Sequence, residues 1–407
     1  MGESRFAGVD WASAEHAVCV VDGDGRIVEG RRYRHEECGL RVLCARLLQL
    51  GARLVAVERP DGLLIERLLD AGLLVIAGHP NQLAAMRPRY SAAGGKSDSF
   101  DAFVLAELAR TDAHRFRVLV PDTDATKALR ALTRAREDLV RTRVALSNEL
   151  RAQLEQFWFG ASRIFAAVDS PIALAFLKRY PSPADARTLG EQRLARFLAR
   201  QHYSGRRSAR ELLGRLRAGA EGRAGQLETE ARRQIVLALV AALEPLAAKI
   251  SELTSEIRAA LADHVDGPTF RSLFIDPHSA ITAATILSEI GDCRERYPSN
   301  RTLAADGGQA AVAVESGRST RARFRWACDH RLRNAIATLA DSSRHHNPWA
   351  ADIYTRARAR GKTHQHALRI LGRAWCGVIW RLWQDRDVYD PSRHRALQRL
   401  LTTTATN

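Results

Sequence analysis

Lysine is nearly missing from this chain. Five of its 62 basic residues are lysine (Lys96, Lys127, Lys178, Lys249 and Lys362), and the remaining 57 are arginine. A GC-rich coding sequence produces the same bias, but arginine also has the planar fork that grips phosphate through paired hydrogen bonds. Cysteine is sparse too. Cys19, Cys38, Cys44, Cys293, Cys328 and Cys376 are scattered without a CxxC pair or a zinc-ligand spacing. That excludes a disulfide-stapled scaffold and a zinc module, and reads as reduced thiols in a cytoplasmic protein. The longest apolar run, Ile235 to Leu243, is far short of the roughly 20 residues of a membrane span. The N-terminus lacks the basic-then-apolar pattern of a signal peptide. No GxxxxGK[ST] phosphate loop occurs, so ATP is not expected. No membrane partner is expected either.

What is present is an ordinary globular balance, 46% hydrophobic and 27% charged, over 407 residues. Acidic residues number 46 against 62 basic ones, and 62 − 46 leaves a net charge of +16. An excess of that size favours a polyanionic partner, and nucleic acid is the first expectation.

Along the chain, residues 5–33 read as three strands, Phe6–Asp10, His16–Asp22 and Arg26–Arg32, with a DG turn at Asp22-Gly23-Asp24-Gly25. A helix over Leu40–Leu50 follows, then buried-type strands Leu54–Glu58 and Leu73–Ala77. A glycine-rich loop over Ser91–Lys96 leads into a helix over Ser97–Arg110. This is an α/β layered sheet. The predicted divisions are 1–120 (α/β), 121–265 (helical and basic), 266–390 (mainly helical) and a tail, 391–407, whose end from Thr402 is polar and expected to be disordered.

The middle region contains a long charged helix over Thr126–Phe157, with Leu132, Leu139 and Leu146 seven apart. Val236, Leu239, Leu243, Leu246, Ile250, Leu253 and Ile257 then keep a 3,4 spacing, the seam of a coiled coil. Pro245 inside it predicts a kink or a break. The two helices could pair with each other or with another subunit. Between them, residues 178–217 hold eleven basic residues against three acidic ones, with Arg206, Arg207 and Arg210 clustered. That density fits a surface that tracks phosphates. A second basic stretch runs through Arg318, Arg321, Arg323, Arg325, Arg331 and Arg333, where Trp326 could stack on a base.

Chemistry is suggested first by four acids. Asp10 and Glu58 end two strands, while Asp98 and Asp101 share one face at the start of a helix. Four carboxylates converging on a sheet edge repel one another unless cations sit among them, and hard oxygen ligands suit Mg²⁺ or Mn²⁺. Two such ions can clamp the attacking and leaving oxygens of phosphoryl transfer. Each acid also has a plain reading, as a turn residue or as a complement to a helix N-terminus. Asp61, near Glu58, is a weaker candidate. Ser316 lies in Val314-Glu315-Ser316-Gly317-Arg318, where Gly317 permits close approach and Arg318 and Arg321 could hold a phosphate. Ser-Gly is a common loop dipeptide, and no neighbouring histidine is placed to activate the hydroxyl. His278, His330, His345, His346, His364 and His366 lack the i,i+4 spacing of a helical zinc site and read as surface or phosphate-contact groups.

The segments AGVDWASAEHAVCVVD, VAVERPDG and KSDSFDAFVLAELAR resemble the N-terminal part of the DEDD-type insertion-sequence transposases, relatives of the Piv-type DNA invertases. ITAATILSEIGD, LAADGGQAAVAVESGRS and ALRILGRAWCGVIW are similar to that family's C-terminal part. The resemblance covers roughly residues 5–112 and 273–385. It implies an RNase H-like, RuvC-like N-terminal domain, a coiled-coil middle and a mainly helical C-terminal transposase domain. Asp10, Glu58, Asp98 and Asp101 would be its metal-binding tetrad, and Ser316 its nucleophile. It implies a site-specific recombinase acting on donor and target DNA, guided by a bridge RNA from its own element, in a dimer to tetramer associated with the nucleoid. The alternative is a metal-dependent endonuclease of Holliday-junction type, hydrolysing with water and forming no serine intermediate.

Overall fold

The computed structural model describes residues 4–91, 96–222, 225–276, 279–316 and 319–405. The glycine-rich part of the loop at 92–95, His278, Gly317 and Arg318 lie outside the described residues. The chain divides into two compact units, Met1–Asp122 and Thr123–Asn407.

The first unit is built on a five-stranded sheet. β1 (Phe6–Asp10), β2 (Glu15–Val21), β3 (Ile27–Arg34), β4 (Leu54–Val57) and β5 (Leu74–Ala77) lie in the order β3-β2-β1-β4-β5. β1 runs antiparallel to β2 and parallel to β4, which is parallel to β5. The predicted turn closes β2 on β3: the Asp22 side chain accepts from the amides of Asp24 and Arg26, and Gly25 takes φ +84°. Helices α1 (Glu37–Gln49) and α2 (Leu63–Asp70) bury Leu40, Leu43, Leu47, Leu64 and Leu68 in one apolar cluster with the sheet. α3 (Pro80–Tyr90) and α4 (Asp98–Asp112) contribute to a second, through Leu83, Val104, Leu105 and Leu108.

The closest packing in this unit is α4 on β1. A Cβ added to Gly8 would stand 2.1 Å from the Ala102 carbonyl oxygen and 2.2 Å from the Ala106 amide nitrogen. Ala102 and Ala106, four apart on one helix face, are fully buried. Only glycine opposite two alanines allows this approach. Ser97 fixes where the helix starts, its hydroxyl accepting from the Phe100 amide. Asp98 and Asp101 therefore fall in the first turn.

The second unit is helical apart from one hairpin. α5 (Asp124–Phe157) and α10 (Gln226–Asp263) are its spine. They run antiparallel: Thr126 meets His264 at one end (2.8 Å), Arg136 meets Thr254 further along (2.7 Å), and Gln156 meets Arg232 at the other end (3.0 Å). The heptad spacing is thus satisfied within the chain, and unevenly. Val236, Leu243, Ile250 and Ile257 are buried, whereas Leu239, Leu246 and Leu253 are half-buried. The predicted break at Pro245 does not occur; α10 is continuous, and Pro245 is exposed, so water can reach the carbonyl its ring leaves without a partner. α10 is the one helix among the described residues long and apolar enough to cross a membrane. In this fold its buried stripe packs on α5, and Glu244 and Lys249 form ion pairs from its surface.

Two cores hang on this spine. One joins the end of α5 and the start of α10 to α6 (Phe159–Arg163), α7 (Pro171–Arg179), α8 (Glu191–Arg200) and α9 (Ala209–Ala218), around Trp158, Phe176 and Phe197. The other joins Leu129, Ile257 and Leu261 at the opposite end to the C-terminal helices. Those are α11 (Gly267–Arg271), α12 (Ala280–Ile290), α13 (Asn300–Asp306), α14 (His330–Ser343), α15 (Pro348–Ala359), α16 (His364–Asp385) and α17 (Arg395–Ala405). The tail expected to be disordered from Thr402 is helical to Ala405, because α17 docks through Leu397. A hairpin of β6 (Val312–Ser316) and β7 (Ser319–Arg323) projects between α13 and α14 in sequence.

Gly8→Ala tests the α4–β1 approach. The added methyl meets backbone rather than a movable side chain, so the first unit should lose about 1–3 kcal/mol or more. Thermal unfolding followed by circular dichroism would check it; an unchanged melting temperature would refute the close packing.

Candidate active site and nucleic-acid surface

The first unit gathers the four predicted acids at one end of its sheet. Asp10 is the last residue of β1, and Glu58 follows the last residue of β4, its parallel neighbour. α4, seated on β1, supplies Asp98 and Asp101 from its first turn. Asp10 registers the crowding. Burial first, then the charges of Asp101, Asp98 and Glu58, push its carboxyl up to about 6, against an opposing pull from Lys96.

The protein supplies some of the compensating charge itself. Arg87 of α3 makes a bidentate pair with the buried Asp101, at 2.6 and 2.9 Å. That bond, with the charges of Glu58 and Asp10, raises the Arg87 pKa. Arg32 of β3 meets the exposed Asp98 at 3.3 Å. Among the described residues no group of three acids, histidines or cysteines stands close enough to be a ligand set by itself. The donors are nonetheless of the right chemistry for a divalent cation. They are hard carboxylate oxygens, from buried Asp101 through half-buried Asp10 and Glu58 to exposed Asp98, and burial together with the neighbouring carboxylates raises the Asp10 pKa. Asp61 is exposed.

Sequence reasoning missed Arg87, Arg32 and Lys96 as partners of the acids. No spacing signal marks them, since they reach the site from three different segments. It also missed the residues flanking the site. Trp11, next to Asp10, carries the Arg59 guanidinium 4.8 Å above its ring, and Arg59 follows Glu58. His16, fully buried, bonds His35 across 2.8 Å, and burial followed by the charge of His35 holds its pKa down to about 4.

In the second unit Ser316 ends β6 opposite Ser319 and is exposed. Among the described residues, no histidine or carboxylate side chain bonds its hydroxyl. The predicted arginines of this region differ in their surroundings. Arg321 and Arg323 are exposed on β7. Arg325 donates to the Ala310 carbonyl, and Arg333 lies over the Phe324 ring. Arg331 pairs with Glu137 at 2.7 Å and with Asp138 at 3.0 Å on α5, which leaves it little capacity for phosphate. Trp326 is 73% exposed, as a stacking role requires. His330, His345 and His346 are exposed, and His364 bonds the Tyr354 hydroxyl.

Two residues of the EIGD motif hold the helices together. Glu289 is buried and takes both bonds of Arg134, while Asp292 accepts from Thr123 and Thr126 at the start of α5. In the basic middle segment, Arg206 and Arg207 are exposed and Arg210 pairs with Glu191. Arg207 joins Arg151, Arg163 and Arg215 around an open cavity of about 330 Å³ without a carboxylate in its lining. Four arginines from separate segments line it, a set that only the fold assembles.

The family profile described as "Transposase", DEDD_Tnp_IS110, matches residues 7–159, and that of the "Transposase IS116/IS110/IS902 family" matches residues 275–355. The chain is 30% identical over 408 residues to the "Mini-circle putative transposase for IS117" of Streptomyces coelicolor, covering 95% of this chain and 96% of that one. It is 27% identical over 393 residues to an insertion element IS110 protein of the same organism, covering 95% of each. It is also 28% identical over 405 residues to an insertion element IS900 protein of Mycobacterium paratuberculosis, with 96% and 98% covered.

Asp10→Asn probes the crowded carboxylates. Asp10 titrates higher in the fold than in the unfolded chain, so its stabilising contribution is present below about pH 4 and is lost as pH rises through about 6. In metal-free buffer the Asn variant should match the wild type at pH 4. At pH 7 it should melt higher, by an amount on the order of 1 kcal/mol. Equal melting temperatures across that range would show that the acids do not converge.

Proposed function

Because the chain belongs to the IS110/IS116/IS902 family of insertion-sequence transposases, enzymes that cut and join DNA, we propose that it does so with a carboxylate-held metal and a serine nucleophile. The observation that carries this reading is the action of three other carboxylates on Asp10. The first unit is read as RNase H-like, of the RuvC type, and the α5–α10 pair as a coiled coil. Asp10, Glu58, Asp98 and Asp101 would hold Mg²⁺, or Mn²⁺ in its place. When bound, the ion supplies charge neutralisation at the scissile phosphate.

Arg87 and Arg32, which pair with Asp101 and Asp98, would share these carboxylates with the ion or turn to the DNA backbone when it is bound. Ser316 Oγ attacks the phosphorus. The phosphoester bond to one strand breaks, a phosphoserine bond forms, and the serine proton ends on the departing strand hydroxyl. A hydroxyl of another strand reverses the step, so the bond energy is conserved and no nucleotide cofactor is needed. Because no side-chain base bonds Ser316 among the described residues, its activation is assigned to a tetrad in the working assembly, a homo-oligomer of two to four subunits in which different subunits supply acid and serine. The Arg151, Arg163, Arg207 and Arg215 cluster supports a structured RNA partner, a bridge RNA pairing with donor and target DNA. A hydrolytic junction endonuclease is not favoured by the relatives.

Two measurements test the mechanism. Ser316→Ala should leave no covalent protein–DNA adduct on denaturing gels, while Asp10→Asn should lose cleavage yet retain DNA binding. Free ends without an adduct from the wild type would establish hydrolysis instead. For the RNA, crosslinking and sequencing should recover one dominant transcript, and Arg207→Gln with Arg215→Gln should reduce its yield; unrelated branched DNA without enriched RNA would remove the guide.

A further inference from the structure

A second arginine-lined cavity, of about 360 Å³, lies at the base of the β6–β7 hairpin. Gln309, Arg323 and Arg325 line it from the hairpin and its flanks, and His366, Arg369 and Arg373 line it from α16. Among the described residues no carboxylate lines it. No ion pair forms at Arg323, Arg325, Arg369 or Arg373 among the described residues. Arg369 and Arg373 are four apart, so they point to the same side of α16. Gly372 between them lets the helix close on Gln309: a Cβ there would stand 2.5 Å from the Gln309 side-chain oxygen.

Phe324 organises the cations. Its ring carries the Arg333 guanidinium at 5.3 Å and the Arg369 guanidinium at 5.0 Å. Burial and the charge of Arg333 lower the Arg369 pKa, and burial with Arg369 and Lys362 lowers that of His366. Positive charge is therefore held together here; the acids that act nearby, Asp306 and Asp329 beside Cys328, form no ion pair with these arginines among the described residues. Trp326 meets the Phe324 ring edge-on, with centroids 4.8 Å apart, and stays 73% exposed.

We infer that this pocket seats one unstacked nucleotide of a nucleic-acid strand, its phosphate against Arg325, Arg369 and Arg373 and its base on Trp326. A free phosphate would need the cations but not the adjacent exposed indole. A duplex would keep its bases stacked inside and offer none to Trp326. The inference rests on the proposed DNA-rejoining function and adds a positioning role to it. Val312 pairs with Arg323 at the pocket, while Ser316 is four residues along the strand. At about 3.4 Å per residue, that is roughly 14 Å. A strand anchored in the pocket would present to Ser316 a phosphate a few nucleotides along its backbone.

The test uses the full chain with fluorescein-labelled (dT)12, (rU)12 and a 12-base-pair DNA duplex, titrated at several salt concentrations. Arg369→Gln with Arg373→Gln should weaken binding of at least one single strand by about tenfold or more. Its salt dependence should also flatten, by about 0.7 in slope for each phosphate no longer neutralised. Trp326→Ala should weaken the same strand by about fivefold to a hundredfold without changing the slope. Whether the affected strand is DNA or RNA identifies the ligand. Duplex affinity should change little. If the arginine double variant melts like the wild type and binds both single strands with unchanged affinity and slope, the pocket is not a nucleotide site. Strand binding is read without any cleavage step, so failure of the serine mechanism and failure of this site give different results.

Discussion

Between β1 and α4 there is no room for a side chain. Gly8 faces the backbone of Ala102 and Ala106, and the helix lies directly on the strand. That approach brings the first turn of α4, with Asp98 and Asp101, toward the end of β1, where Asp10 stands. Parallel pairing of β1 with β4 adds Glu58. The acidic site is thus a consequence of backbone packing before it is a matter of side-chain placement. Its electrostatic cost is visible at Asp10 and is partly offset by Arg87 and Arg32.

Those two arginines pair with two of the four acids. A guanidinium bound to both oxygens of Asp101 neutralises it without performing chemistry, and it holds the carboxylate oriented. In the proposed reaction, exchange of such a group for a divalent cation and a DNA phosphate would replace one set of charge-assisted bonds by another.

The helical unit solves a different problem. Its two long helices carry one core at each end, and polar ties such as Glu289–Arg134 and Asp292–Thr126 fix α12 against α5. Motif residues that look functional by their acidity are here structural. Arg331 is similar: basic in sequence, yet occupied by Glu137 and Asp138. Counting arginines along the chain cannot separate these from Arg207 or Arg373, because the separation depends on which carboxylates lie across the packed surface.

The sequence by itself determined the strands of the first unit, the helix beginning at Ser97 and the four acids, because periodicity, turn residues and strand-end positions are local properties. It also identified the two long helices, and resemblance pointed to the family. Tertiary structure alone decided that the heptad seam pairs within the chain, that Pro245 is accommodated and that the tail is helical to Ala405. It alone assembled Arg87 on Asp101, the four arginines around Arg207, and the pocket shared by β7 and α16. Each of these joins residues distant in sequence, and electrostatic and packing energies depend on separation in space, which the linear order does not carry.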